Sequence, residues 1–250
     1  MNIFCTNDDG YNCSGIQELS KSLRAEGHNV VVLSPDRDRS GASHSLGMVS
    51  SPIFIKQVSD YDWICSGTPA DCVLVLVSGG VKFTPDAIAS GINAGSNLGT
   101  DIVFSGTAGA ARQGSLCGIP SIAFSLAGNG PFDFKPSALW AAANFEKLIK
   151  QLKAYPASLP TGVERNLRQW DIFFNINFPA TSDFDNEAVL TFPARRRYFD
   201  KCRAEEADDG WKRLNFGSMK VETETSKGSD ADALDNKRIS LSAIKVQPAV

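Results

Sequence analysis

Asn29-Val30-Val31-Val32-Leu33-Ser34 narrows the fold more than any other stretch, because its apolar residues run without alternation and are mostly β-branched. A strand with one wet face would alternate; this one reads as buried on both faces, as in a parallel sheet. Upstream, Ile3-Phe4-Cys5 is a second apolar run, and between the two Ile16, Leu19 and Leu23 recur on one helical face before Gly27 ends the helix. Ser14-Gly15-Ile16-Gln17 has the Ser-x-x-Gln form of a capping box, which is expected to open that helix. Residues 2 to 34 thus predict a βαβ unit, whose right-handed crossover lays a helix on the sheet. The fold class that follows is α/β, a three-layer α/β/α Rossmann-like arrangement on a mostly parallel sheet.

The pattern continues along the chain. Thr68 before Pro69, with Asp71 three residues on, predicts a helix start, and Cys72 to Val77 is apolar all round, so that helix should be buried. Strands are expected at 85–90, 119–124 and 172–178, an amphipathic helix over 137–152, and a returning strand at 239–246. Segments 52–58 and 61–65 read as a small hairpin around Asp60, peripheral to the main sheet. Beyond Pro179 the composition shifts to charge, with Arg195-Arg196-Arg197 and several acidic runs. Hairpins forming a mobile lobe over the site edge are expected there, with the arginines serving solubility. The 250 residues read as one domain, an α/β core with the active site over 1–179 and a β-rich extension over 180–250 for oligomerisation or substrate.

Charge and cysteine content exclude whole classes. A net charge of -3 and a pI near 5.5 provide no basic field for a nucleic-acid polymer. The cysteines at 5, 13, 65, 72, 117 and 202 lack Cys-x-x-Cys spacing and read as reduced thiols. A polar knot within the first ten residues leaves no room for a secretory leader, and no later run approaches a membrane-spanning length. A cytoplasmic protein with no membrane partner is expected.

Candidate chemistry gathers at the strand ends. Thr6-Asn7-Asp8-Asp9-Gly10 follows the first strand; Asp-Asp-Gly by itself is also ordinary turn chemistry. The loop from Pro35 to Ser45 follows the second strand, and alone it would read as a solvated loop. Gly91-Ile92-Asn93-Ala94-Gly95-Ser96-Asn97-Leu98-Gly99 follows the third and lacks the dinucleotide fingerprint. In an open α/β sheet these ends share one edge, so Asp8, Asp9, Ser40 and Asn93 can converge as hard oxygen donors. That set suits Mg2+ or Mn2+, with Ca2+ also able to occupy it; zinc would want sulfur or imidazole, and the chain has two histidines. Ser105-Gly106-Thr107 opens a helix whose amides could meet a phosphate, without the lysine of a P-loop NTPase. A cation beside such amides implies phosphate ester hydrolysis.

Asn7-Asp8-Asp9-Gly10, Arg39-Ser40-Gly41-Ala42-Ser43, Ser66-Gly67-Thr68-Pro69-Ala70-Asp71-Cys72, Ser90 to Gly99 and Ser105-Gly106-Thr107 together resemble the ordered motif set of the SurE family of stationary-phase survival proteins and 5'-nucleotidases. Gly228-Ser229-Asp230 resembles the family's later Gly-Thr-Asp, and Phe104 stands where the family usually has tyrosine. The resemblance implies divalent-metal-dependent hydrolysis of nucleoside monophosphates, at the 5' position, with the 3' position left open. It implies metal ligation by Asp8, Asp9, Ser40 and Asn93, and phosphate or substrate contacts from Asn97, Ser105, Gly106, Thr107, Ser43 and His44. Asp8 or Asp9 would orient or deprotonate the attacking water, and His44 is a candidate donor to the leaving oxygen. A homodimer is the expected assembly, with a tetramer left open. Two rival readings are a metal-dependent glycosyltransferase, which would need a nucleotide-sugar, and a nonhydrolytic nucleotide-binding module, which would turn nothing over.

Overall fold

Alternation along short apolar strands divides the core into two helical layers. The computed structural model describes residues 1–155, 170–199, 201–217 and 220–247; those parts of the expected 180–250 extension at 200, 218–219 and 248–250 lie outside them. The chain runs β1 (Asn2–Thr6), α1 (Ser14–Ala25), β2 (Asn29–Pro35), β3 (Ile55–Gln57), β4 (Asp62–Cys65), α2 (Pro69–Val77), β5 (Ala87–Ala94), α3 (Gly106–Leu116), β6 (Ser121–Leu126) and α4 (Lys135–Ala154). It continues through β7 (Ile172–Phe178), β8 (Ala188–Thr191), β9 (Arg195–Phe199), β10 (Cys202–Glu206), β11 (Lys212–Phe216), β12 (Lys220–Glu224), α5 (Asp230–Asp235) and β13 (Ile239–Lys245).

Among the described residues, nine strands form one sheet in the order β3-β4-β2-β1-β5-β6-β7-β13-β8. From β4 to β7 every pairing is parallel; β3 runs antiparallel to β4, and β13 runs antiparallel to β7 and parallel to β8. Successive side chains on a strand point to opposite faces. Ile3 and Cys5 therefore join Val30, Val32, Ile122 and Phe124 under α1 and α4. Phe4 instead joins Val31, Leu33 and Ile88 against α2 and α3. The result is the three-layer, mostly parallel α/β/α fold expected from the sequence. Chain order reverses between β1 and β5, so the crevice beyond their carboxyl ends is the switch point where such sheets bind ligands.

Two local expectations are corrected. α1 begins at Ser14, so Cys13 stands at the N-cap without a side-chain bond and Gln17 instead donates to the Tyr11 carbonyl at 2.6 Å. Ser14 lies one residue too late to cap. The 52–65 hairpin is not peripheral: β4 pairs in parallel with β2 from Val32↔Asp62 to Pro35↔Cys65, because the free edge of β2 needs hydrogen-bond partners and Trp63 packs against the α2 layer. The capping box at α2 forms as read, Thr68 accepting from the Asp71 amide at 3.1 Å and Asp71 from the Thr68 amide at 2.8 Å. No described helix is long and apolar enough to cross a membrane.

Asp71 does more than cap. It is buried, and its carboxylate also accepts from the Gly47 amide at 2.9 Å and the Met48 amide at 3.2 Å, tying the loop after β2 to α2. Asp71→Ala orphans donors at Gly47, Met48 and Thr68, and should lower stability by about 2–4 kcal/mol. Urea denaturation reads this; a loss under about 1 kcal/mol would show that water replaces the carboxylate without cost.

Candidate active site

The site starts from a turn too tight for side-chain freedom. Directly after β1, Asn7 is buried, donating from Nδ2 to the Gly10 carbonyl at 3.0 Å and accepting a short hydrogen bond from the Ser34 hydroxyl. Gly10 closes the turn at a φ of 95°, a region that side chains with a Cβ rarely occupy. The turn delivers Asp8 and Asp9 at the switch point.

Asp8 is 3 % exposed and points at the first turn of α3. Its Oδ2 accepts from the Gly106 amide at 3.1 Å, and its Oδ1 accepts a short bond from the Thr107 hydroxyl. Gly106 is required by this approach, since a Cβ there would stand 2.8 Å from the Cβ of Asp8. The Thr107 hydroxyl also lies 3.5 Å from Asn93 Oδ1, so it brings two of the expected ligands, Asp8 and Asn93, to one point. Asn93 itself is oriented by a 2.8 Å bond from Nδ2 to the Gly95 carbonyl. Asp9 Oδ2 accepts from the Ala94 amide at 3.1 Å on the neighbouring strand. Ser40 is exposed, and both its amide (2.7 Å) and its hydroxyl (2.6 Å) donate to Asp38 Oδ1.

A cavity of 220 Å³ opens over this cluster, lined among others by Asp8, Ser40, Asn93, Asn97, Ser105 and Tyr198. Asn97 is held at several atoms. Its amide donates to Asn177 Oδ1 at 2.8 Å, its Nδ2 to the Ser125 hydroxyl at 2.8 Å, and its carbonyl accepts from Asn175 and Asn177 at 2.9 and 3.1 Å. Ser105 caps α3 by accepting from the Ala108 amide at 3.0 Å, which leaves its own proton free to donate into the cavity. The first-turn amide of Gly106 is directed at Asp8, so the α3 N-terminus faces a carboxylate of the chain itself. Ser43 and His44 are turned aside. The Ser43 hydroxyl donates to the Val103 carbonyl at 2.6 Å, and His44 Nε2 meets Gln113 Oε1 at 2.8 Å on the flank of α3.

The electrostatics of the cluster are unbalanced. Burial raises the pKa of Asp8 above the usual carboxylate value, against the bonds from Thr107 and Gly106. Asp9 is pushed up to about 6, first by burial, then by the charge of Asp8, with Asp38 adding to the repulsion. No cationic side chain is among the groups acting on either carboxylate. Among the described residues no cluster of three or more His, Cys, Asp or Glu could hold a metal. A cation here depends on the oxygens of Ser40 and Asn93 as well as the acids, and uncompensated carboxylates beside neutral hard donors fit such an ion.

Sequence reasoning missed several residues that position the site. Asn175 and Asn177 alternate inside the apolar run of β7, and buried amides at i and i+2 of such a strand are a readable sign of a loop to be held. Asp38 lies in a loop read for Ser40, Ser43 and His44. Arg196, read as solubilising, instead pairs with Asp101 through a short contact, both side chains largely shielded from solvent. Tyr198 donates to the other oxygen of Asp101 in a second short bond. Asp230, named in the sequence only as part of the Gly228-Ser229-Asp230 resemblance and given no role there, is buried and accepts from the amides of Gly99 and Ala194, both at 2.8 Å, fastening the Asn97 loop to the start of β9.

The chain is similar to known proteins along most of its length. A family model described as survival protein SurE matches residues 3–200. The protein named 5'-nucleotidase SurE of Stenotrophomonas maltophilia is 35% identical over 252 residues, covering 98% of this chain and 90% of its own length. Its counterpart in Thermosynechococcus vestitus is 42% identical over 207 residues, 80% of this chain and 72% of its own. The crystal structure of the SurE protein from Aquifex aeolicus superposes with a TM-score of 0.78 at 28% identity, covering 100% of this chain and 95% of that one. With the family match running from β1 through β9 and relatives 35% and 42% identical over most of its length, the chain belongs to the SurE family.

Proposed function

We propose that this chain is a divalent-metal-dependent phosphatase that hydrolyses nucleoside monophosphates, a 5'-nucleotidase. The observation that carries the reading is the pair of carboxylates, Asp8 buried and Asp9 partly so, whose main influences among the described residues include no cationic side chain, at the switch point of a fold whose relatives are named 5'-nucleotidase SurE. Asp8, Asp9, Ser40 and Asn93 would hold Mg2+ or Mn2+, which when bound neutralises phosphate oxygens and makes a water more acidic. Asn97 and Ser105 support the phosphate, Ser105 through its free hydroxyl proton. Asp9, with the more open carboxylate, orients the water and takes its proton as oxygen bonds to phosphorus; the bond from phosphorus to the sugar oxygen breaks, that oxygen takes a proton from solvent water, and Asp9 returns its own proton to solvent. The 180–250 segment serves the core as one unit with it, β8 and β13 extending the sheet and β9 supplying a cavity wall. A cytoplasmic homodimer is the expected form, which light scattering on the purified protein would test.

Two outcomes test this reading. Phosphate release from nucleoside monophosphates should vanish on dialysis against EDTA and return with Mg2+ or Mn2+, and Asp8→Asn should lower kcat/KM by about 10^2-fold or more. Turnover that survives EDTA, or a fully active Asp8→Asn enzyme, would sink the metal-centred scheme.

The second outcome concerns the charge left unbalanced without metal. Asp9 titrates near 6 when folded and near 3.8 when unfolded, so between those values the folded state holds more protons. Stability of the metal-free protein therefore falls as pH rises through that window. In EDTA at pH 7.5, Asp9→Asn should be more stable than the parent, by less than about 3 kcal/mol because the side chain keeps some solvent. The gain should disappear below about pH 4. Thermal melts at the two pH values decide it, and an Asn variant that is less stable at pH 7.5 contradicts the electrostatic account.

A further inference from the structure

Two aromatic rings stand in a cavity otherwise lined by small polar side chains. Phe104 is 55% exposed, although its backbone is fixed, its carbonyl accepting from the Ser43 amide at 3.0 Å and its amide donating to the Asp101 carbonyl at 2.9 Å. Tyr198 reaches the same cavity from β9. Its hydroxyl is bound to Asp101 Oδ1, while Arg196 holds Asp101 Oδ2 and places its guanidinium 5.9 Å from the Tyr198 ring centroid. Arg196 is fixed in turn, its amide donating to the Thr100 hydroxyl at 3.0 Å and its Nε to the Thr223 hydroxyl of β12 at 3.3 Å. A wet phenyl ring on a pinned backbone, beside a tyrosine braced by an ion pair, is a surface prepared for a flat apolar ligand group.

We propose that Phe104 and Tyr198 form the nucleobase subsite of this cavity, with Asp101 and Arg196 as positioning residues for the Tyr198 ring; this rests on the nucleotidase reading and adds what separates a nucleotide from other phosphate monoesters. On the nucleotidase reading Asn97 and Ser105, beside the cation ligands, support the phosphate end in this cavity, so the rings meet what the phosphate is attached to. Every base offers a π-face, and stacking is tolerant of base identity. Both Asp101 oxygens are engaged, by Arg196 and by Tyr198, so its carboxylate acts as a brace for the ring. The subsite therefore selects for a base and only weakly among bases.

The test compares adenosine 5'-monophosphate with ribose 5-phosphate, which keeps the sugar and phosphate and lacks the base. In Phe104→Ala and in Tyr198→Ala the ratio of kcat/KM for the nucleotide over ribose 5-phosphate should fall about 10-fold, carried mainly by KM. Tyr198→Phe keeps the ring and should stay within about 3-fold of the parent ratio. An unchanged ratio in both alanine variants, or an equal loss on both substrates, overturns the proposal. Phe104 is exposed enough that its removal leaves no buried void, so that variant guards against misfolding. Should the parent enzyme release no phosphate from nucleotides, the nucleotidase reading has failed, and calorimetry still judges the subsite. Adenosine should then bind Phe104→Ala about 10-fold more weakly than the parent, and equal affinities would overturn the proposal.

Discussion

The Asp8 carboxylate, driven out of water against the first turn of α3, is the interaction on which the site depends. β1 fixes where it emerges, Gly10 permits the turn, and Gly106 is there because any larger residue would strike the aspartate. Burying a charge is costly unless donors and an opposite charge meet it. The Gly106 amide, the Thr107 hydroxyl and the positive end of the α3 dipole meet it in part. Burial still dominates, so Asp8 stands in surroundings that an exposed Asp-Asp-Gly turn would not give it.

Around that centre the chain holds its loops with buried polar side chains. Asn97 is fixed by Asn175, Asn177 and Ser125 on the two neighbouring strands, so the loop after β5 inherits the rigidity of the sheet. Asp230 then ties that loop to the start of β9, and Arg196 with Asp101 ties β9 to the wall of the cavity. The charged segment beyond β7 is thereby part of the site. This is why a cluster of three arginines, which composition alone makes a solvated surface, divides into different roles: Arg196 enters an ion pair, and the Arg197 guanidinium lies 4.6 Å from the Phe199 ring centroid.

The layers and strand directions were legible because they rest on local periodicity. The unbroken apolar run of β2 required two covered faces, and the paired apolar runs with a helix between them required a crossover. The meeting of Asp8 with Asn93 was legible only through topology, since 85 residues of chain separate them and only the shared sheet edge joins them. What escaped was pairing that no local pattern encodes. The side-chain partners of Asp101 lie 95 and 97 residues downstream. The direction in which Ser43 and His44 turn is set by contacts with Val103 and Gln113 on the other side of their loop. The α1 cap failed for a smaller reason, a one-residue offset in the helix start.

The large sheet ends on two very short strands, β3 with three residues and β8 with four. An edge strand offers its unpaired amides and carbonyls as a template for other chains, and a short one offers few of them. β3 further carries Lys56, whose charge opposes stacking against a like edge. The α/β core can thus expose an open sheet to a crowded solution with little tendency to grow by strand addition. The outlying ribbons β10–β11 and β9–β12 have longer strands, five residues each, and guard their edges with charge instead, among others Arg203 and Glu205 on β10, Lys212 and Arg213 on β11 and Lys220 and Glu222 on β12. Short edges in the central sheet and charged ones in the ribbons thus oppose backbone-mediated self-association by two different means.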